Sequence, residues 1–230
     1  MKYLLIIFSG LWVSIGHAQT TATLNQVSQL VKSFESKKDN ALLESALEKL
    51  SELSAKEGFS PSAESYFLNA KTRTLMLKHM ELDEPLTIAS EITENFDQSL
   101  ILDQNKSWRD IIHEQLYNAK ILMTELGNES YEAEDFNMAH AHYSNAVELN
   151  NLEVAYPRFV RHDTTLMYTT AVFASLSDKN KEAISRFEEL VDMDYSRRDI
   201  YDYLINLYRK EEMEDKAVML EKKKAKRYPE

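Results

Sequence analysis

Apolar residues recur along the chain with the period of an α-helix. In the segment 26–35 the spacing is i, i+3, i+4 and i+7, at Val27, Leu30, Val31 and Phe34. This stripe is typical of an amphipathic helix that buries one face. Residues 40–56 carry a longer stripe of the same kind. The pattern therefore predicts two successive helices in this part of the chain.

Short breaks separate the helical stretches, and some of them carry helix-start signals. Ser60-Pro61 predicts a helix start with Ser60 as the N-cap, because proline is favoured at the first helical position. Pro85 predicts another start, followed by a helix from Leu86 to about Leu102. About ten helices follow one another in hairpins on this pattern. No long Gly/Ser-rich or Pro-rich linker divides them, so we expect an all-α chain folded as one continuous domain.

Glycine is scarce, which excludes several classes of site and fold. The chain of 230 residues has four glycines, and two of them, Gly10 and Gly16, lie in the N-terminal segment 1–18. Gly58 and Gly127 stand alone, so there is neither a P-loop nor a dinucleotide-binding turn, both of which need closely spaced glycines. So few glycines also leave too few turn residues for a sandwich or barrel of many strands.

The N-terminal segment 1–18 has the layout of a secretory signal peptide. Lys2 is a positive start, residues 3–15 are mostly apolar, and Gly16-His17-Ala18 provides small residues before a cut at Gln19. An uncleaved anchor and a buried helix are the alternatives. No cysteine follows the apolar run, so we expect no lipoprotein anchor. The prediction is a periplasmic or secreted protein, with a Gram-negative periplasm favoured, and no stable membrane span after signal removal.

The charge balance argues against polyanionic partners. The formal net charge is −11, and phosphate binding needs clustered basic residues. We therefore expect no nucleic-acid partner. The dense basic run from Lys222 to Arg227 lies near the C-terminus. It is predicted to be a solvated last helical turn, where cations also suit the helix dipole.

The clearest internal pattern lies between residues 120 and 153. It is carried by Gly127, Ala139, Tyr143 and Ala146. In spacing and residue type this segment resembles the tetratricopeptide repeat, a helix–turn–helix unit of about 34 residues. The four residues correspond to its positions 8, 20, 24 and 27. The resemblance implies that the small residues let two helices approach closely, while the aromatic fills the space towards the next hairpin.

Two weaker copies of the pattern follow. Ala183 and Phe187 occupy positions 20 and 24 of a copy at 164–197, and Ala217 occupies position 20 of a partial copy at 198–230. One hairpin cannot bury its apolar face alone, so several must stack. The resemblance implies a right-handed α-solenoid in which residues 120–230 are tetratricopeptide-like repeats. Residues 19–119 are expected to be degenerate hairpins of the same solenoid, or else a generic helical bundle that caps the repeats.

Two short motifs suggest metal sites but do not meet the spacing rules. His140 and His142 are two residues apart, which points their side chains about 200° apart on a helix. We expect solvated helix-face histidines there. Asp103 to Glu114 matches several positions of a calcium-binding loop, but Trp108 stands where the loop needs glycine. We therefore expect no metal and no cofactor. There is also no nucleophile elbow and no cysteine nucleophile, so the prediction is a protein that is not an enzyme.

The resemblance also implies where a partner binds. Arrays of this family usually present a groove lined by the first helix of each hairpin, and the groove positions can be carried over one by one. The candidate partner-binding residues are Thr124, Asn128, Tyr131, Tyr168, Val172, Asp202, Asn206 and Arg209. The asparagine amides can hold an extended peptide backbone through their donor and acceptor. The lysine or arginine pair that clamps a terminal carboxylate in some family members is absent here.

The sequence thus favours a non-catalytic scaffold that binds another protein or peptide of the cell envelope. Two alternatives stay open. One is an envelope module that binds a glycan or small ligand, because tyrosine-rich grooves can stack sugars. The other is an accessory subunit of an outer-membrane assembly or uptake complex, against which the missing lipid-anchor cysteine argues.

Overall fold

The structure is a computed structural model of the chain, and it describes residues 2–82, 84–155, 162–195 and 197–229. Side chains are described from residue 19 onward, except that of residue 154. Within these ranges the chain forms ten helices and no strand. The predicted all-α class is therefore confirmed. The helices are α1 (Lys2–Lys37), α2 (Asn40–Ser54), α3 (Ala63–His79), α4 (Pro85–Leu102), α5 (Arg109–Glu132), α6 (Phe136–Ala155), α7 (Thr164–Leu176), α8 (Asn180–Asp192), α9 (Arg198–Lys210) and α10 (Glu214–Arg227).

The predicted signal peptide coincides with the first half of α1. The side chains of residues 1–18 lie outside those that the structure describes. Among the helices of the described residues, none combines the length and the apolar character needed to cross a membrane.

The contacts divide the chain into two compact units, Met1–Ala119 and Lys120–Glu230. In the first unit consecutive helices pack together, α1 on α2, α2 on α3 and α3 on α4. Phe34, Leu43 and Met76 form one buried cluster that joins α1, α2 and α3. The apolar stripes predicted at 26–35 and 40–56 therefore supply the core of this unit.

Two helix starts in the first unit are predicted from proline. The helix at Pro85 begins as expected, with the proline at its first position. The start at Ser60 is wrong by two residues, because Ser62 is the N-cap of α3. The Ser62 hydroxyl accepts from the Ser65 backbone N–H at 3.2 Å, and Ser65 Oγ accepts from the Ser62 N–H at 2.9 Å. This reciprocal capping satisfies two donors and outweighs the proline signal.

In the second unit α6 packs on α7, α7 on α8, α8 on α9 and α9 on α10. Ala139, Ala183 and Ala217 are fully buried in the second helices α6, α8 and α10. On α5, a Cβ built on Gly127 would lie 2.9 Å from Cε2 of Tyr143 in α6. Gly127 therefore stands where α5 and α6 approach closely, and the three alanines are buried in the packing of this unit.

The turns between α5 and α6, α7 and α8, and α9 and α10 share one backbone conformation. Glu134, Asp178 and Glu212 have positive φ, at 59°, 57° and 59°. In each turn the next backbone N–H donates to the carbonyl five residues earlier, at 2.7–2.9 Å. This Schellman-type ending usually uses glycine. The chain makes these turns with acidic residues instead, so a low glycine count is compatible with tight turns.

Candidate functional site

The first helices of the second unit, α5, α7 and α9, contact one another through aromatic and polar side chains. The rings of Tyr131 on α5 and Phe173 on α7 meet edge to face, with their centroids 5.4 Å apart. Tyr168 on α7 donates its hydroxyl to Asp199 Oδ2 on α9 at 2.7 Å. These three helices therefore follow one another side by side within the unit.

The second helices, α6, α8 and α10, are linked in the same way. His140 Nε2 on α6 lies 3.3 Å from Glu182 Oε1 on α8. Lys216 Nζ on α10 lies 2.9 Å from Glu188 Oε1 on α8. We refer to the outward surface of α5, α7 and α9 as the first-helix face. All eight predicted partner-binding residues are on these three helices.

The three predicted residues on α5 differ in how many of their polar atoms already form hydrogen bonds within the protein. Thr124 donates its hydroxyl to the Lys120 carbonyl at 2.9 Å, so its side chain bonds to its own helix. Asn128 is exposed, and its Oδ1 accepts from the Tyr143 hydroxyl at 2.5 Å. That bond orients the amide so that its NH2 donors are left for a partner. Tyr131 is 51% exposed.

On α7, Tyr168 is tied into a polar cluster at the junction with α9. The Arg197 guanidinium lies over the Tyr168 ring at 4.0 Å and also pairs with Asp199 at 2.8 Å. Burial and the hydrogen bond to Asp199 raise the pKa of Tyr168 well above its usual range. Tyr168 therefore stays a neutral hydrogen-bond donor that joins two helices, and its ring is only partly available to a partner.

On α9, Asp202, Asn206 and Arg209 line one groove together with residues of α10. The groove encloses about 430 Å³. Two ion pairs cross it, Lys224 to Asp202 and Arg209 to Glu221, the second at 2.7 Å. The structure thus brings these three predicted residues together. The sequence does not reveal the α10 residues of the groove, because the resemblance assigns groove positions to first helices alone.

The central first helix, α7, contains no charged residue over residues 164–176. Val172 is half-buried and Leu176 is 52% exposed. On α5, Ile121 is also an exposed apolar side chain. Charged residues are depleted at the centre of protein–protein interfaces, so an uncharged helix on the surface is compatible with such a role. This part of the first-helix face can therefore offer apolar contact area and a few amide and hydroxyl groups.

The histidine pair differs from the sequence expectation. The expectation of solvated side chains is wrong for both His140 and His142, because each is 3% exposed. Burial lowers the pKa of both imidazoles. The spacing rule considers only the direction of each side chain on α6, whereas packing against α8 covers His140. Within the described ranges, no three His, Asp or Glu side chains are arranged to hold a metal ion.

The acidic segment that resembles a calcium loop has a structural use. Asp103 is buried, and its Oδ1 accepts from the Trp108 backbone N–H at 3.2 Å. Its Oδ2 lies 3.7 Å from Arg109 Nε. This carboxylate therefore organises the turn before α5 through a backbone donor and a guanidinium.

No model of a known protein family matches the chain, and a search of curated proteins finds no match.

Proposed function

We propose that the chain is a tetratricopeptide-like solenoid that binds another protein or peptide of the bacterial cell envelope through the first-helix face. It has no catalytic role in this proposal. The observation that carries it is the uncharged helix α7, which exposes Leu176 one helical turn beyond the predicted groove residue Val172. The centres of protein–protein interfaces are depleted in charged residues, and this helix has that composition.

The repeated geometry of the second unit supports the solenoid. Three turns with a positive-φ acidic residue stand at 134, 178 and 212, and a buried alanine follows each of them at the same offset, at 139, 183 and 217. The turns at 134 and 178 are farther apart along the chain than those at 178 and 212, and the alanines at 139, 183 and 217 show the same difference in spacing. The backbone conformation therefore recurs in step with the sequence pattern. Stacked hairpins with this repeat are expected to wind in the right-handed sense of the family.

The aromatic residues at position 24 give a second line of support. Tyr143 stacks on Phe173 with the centroids 5.1 Å apart, and Phe187 stacks on Tyr203 at 5.5 Å. In both cases the partner ring belongs to the first helix of the following hairpin. This is the packing that the resemblance implies for the aromatic position of the repeat, and it buries area between successive hairpins.

Export is part of the proposal and rests on the N-terminal segment 1–18. We expect the mature protein in the periplasm or outside the cell, beginning at Gln19. Cell fractionation followed by N-terminal sequencing of the purified protein tests this point. A protein that retains Met1 in the cytoplasmic fraction would contradict it.

Site-specific crosslinking in cells tests the binding face. A photo-crosslinking amino acid at Leu176 is expected to capture a partner, which mass spectrometry identifies. The matched control is the same amino acid at Met219, which is 72% exposed on α10 and does not line the groove between α9 and α10. Val172→Asp places a charge on this surface and should abolish the adduct at 176. The protein should stay folded, because Val172 is only half-buried. No adduct at 176, or the same adducts at both positions, would argue against the proposed face.

A further inference from the structure

His140 is a buried titratable residue that the proposed binding face does not use. It lies on α6, and its two ring nitrogens meet groups of opposite charge. Nδ1 lies 2.8 Å from Lys179 Nζ, and Nε2 lies 3.3 Å from Glu182 Oε1. Lys179 belongs to the turn between α7 and α8, and Glu182 belongs to the first turn of α8. One imidazole therefore ties the α7–α8 hairpin to α6.

The contacts define the protonation state of the ring. An ammonium group can only donate, so Nδ1 must accept with a lone pair, and the proton of the neutral ring sits on Nε2. That Nε2–H then points towards the Glu182 carboxylate. Ser144 Oγ, on α6, is 3.4 Å from Nε2. Arg186 on α8 contacts the same oxygen of Glu182, with Nε and a terminal nitrogen 3.2 and 3.1 Å from Oε1.

Protonation of His140 at Nδ1 breaks the hydrogen bond to Lys179. A proton on Nδ1 would face the Lys179 ammonium, so the hydrogen bond is lost and two like charges meet at close range. The contact with Glu182 survives, because both ring nitrogens are donors in the imidazolium. Lys179 is therefore the group that must leave. Its backbone N–H already donates to the Ala174 carbonyl, so its departure frees the side chain from α6 without undoing the turn.

We propose that His140, Lys179 and Glu182 form a pH-sensitive latch, which holds the α7–α8 hairpin against α6 near neutral pH and releases its lysine arm on acidification. Because α7 carries Tyr168, Val172 and Leu176, the latch regulates the binding face, and in this respect it rests on the proposed function. An exported protein is exposed to the pH outside the cytoplasm, where such a device has a signal to respond to.

Burial, more than the surrounding charges, sets the direction of the response. Burial lowers the pKa of His140, Glu182 raises it, and Lys179 and Arg186 lower it. The folded protein thus favours the neutral ring, and the latch is complete above about 6.5, the usual value for histidine. It is lost as the pH falls through the pKa of His140 in the folded protein, which lies below that value.

Nitrogen-15 NMR of the imidazole rings in the full-length protein tests the latch without a binding partner. At pH 7.5 the His140 signals should report the tautomer with the proton on Nε2. Lys179→Met should raise the pKa of His140, and Glu182→Gln should lower it. Lys181→Met is the matched control, since this lysine is an exposed neighbour in sequence and should leave the pKa of His140 unchanged. A proton on Nδ1 at pH 7.5, or no response to Lys179→Met, would overturn the latch.

Hydrogen exchange then measures whether the latch acts on the hairpin. After correction for the intrinsic pH dependence, amides of α7 and α8 should lose protection about tenfold between pH 7.5 and 5.5, which corresponds to about 1.4 kcal/mol. His140→Gln should remove the part of that difference that His142→Gln leaves, because an amide can accept from Lys179 and donate to Glu182 but does not titrate. Unchanged protection in the parent protein would refute the latch and would leave the proposed binding face to the crosslinking test.

Discussion

Gly127 allows the most direct test of the packing in the second unit. It lies inside α5, where Gly→Ala normally stabilises a helix by about 1 kcal/mol. A Cβ at this position would be 2.9, 3.0 and 3.2 Å from three carbon atoms of the Tyr143 ring. Carbon atoms prefer a separation of about 3.5–4.0 Å. The substitution therefore gains helix propensity but forces the ring to move.

Tyr143 has little freedom to move away. Its ring lies nearly parallel to that of Phe173, at an interplanar angle of 9°, and its hydroxyl donates to Asn128. It is also almost completely buried. Overpacking of this kind costs about 1–3 kcal/mol. With about 2 kcal/mol lost and about 1 kcal/mol gained, we expect Gly127→Ala to lower the free energy of unfolding by about 1 kcal/mol.

A double-mutant cycle separates the two effects. Unfolding in urea, followed by circular dichroism, gives the free energies. In the Tyr143→Leu background the clash is removed, so Gly127→Ala should become stabilising by up to about 1 kcal/mol. The coupling energy is then about 2 kcal/mol. Gly58→Ala is the control, because Gly58 has φ of 77° and no atom within 4 Å of the added Cβ. Its cost should be the same in both backgrounds.

The result that would refute this reasoning is an increase in stability for Gly127→Ala in the parent protein. It would mean that Tyr143 relaxes without cost and that the glycine is not required for the approach of α5 and α6. A coupling energy near zero would lead to the same conclusion.

Three further outcomes follow from single contacts, each measured by urea unfolding. Glu134→Gly should stabilise the protein by about 0.5 kcal/mol, because glycine adopts the positive φ of this turn without strain; a loss of stability would contradict this. Burial lowers the pKa of His142, so its neutral form stabilises the fold above about 6.5 and this stability is lost at lower pH. His142→Gln should therefore flatten the pH dependence between 7.5 and 5.5, and an unchanged slope would exclude His142 as a source. Tyr208→Phe removes the 2.6 Å hydrogen bond to Glu188 and should cost about 1 kcal/mol, whereas Tyr203→Phe, whose hydroxyl makes no such bond within the described residues, should be neutral.

Several features of the fold follow from the sequence alone because they depend on local spacing. The stripe of Val27, Val31 and Phe34 marks the buried face of a helix, and the buried alanines at 139, 183 and 217 mark where helices meet. Pro85 marks a helix start because its ring sets the backbone angle by itself. The stripe and the proline involve residues within one or two turns, whereas the alanines are recognised by their recurrence along the chain. Neither signal requires knowledge of the tertiary contacts.

The environment of the polar groups could not be predicted in this way. Whether His140 is solvated or buried depends on Lys179 and Glu182, which belong to the next hairpin along the chain. The resemblance assigns the amide of Asn128 to a partner, yet the Tyr143 hydroxyl occupies its carbonyl oxygen. Such pairings arise only when helices pack, since they are decided by distance and desolvation rather than by periodicity.

The sequence by itself therefore determined the all-α class, most helix positions and the spacing of the close contacts, because the alternation of apolar and small residues is read along a single helix. Tertiary structure decided which side chains remain available to a partner. Three polar side chains form hydrogen bonds with another part of the fold, namely those of Asn128, Tyr168 and His140. What is left exposed, above all the uncharged surface of α7, is fixed by that packing, because a hydrogen-bonding atom that is paired within the fold is no longer available to another molecule.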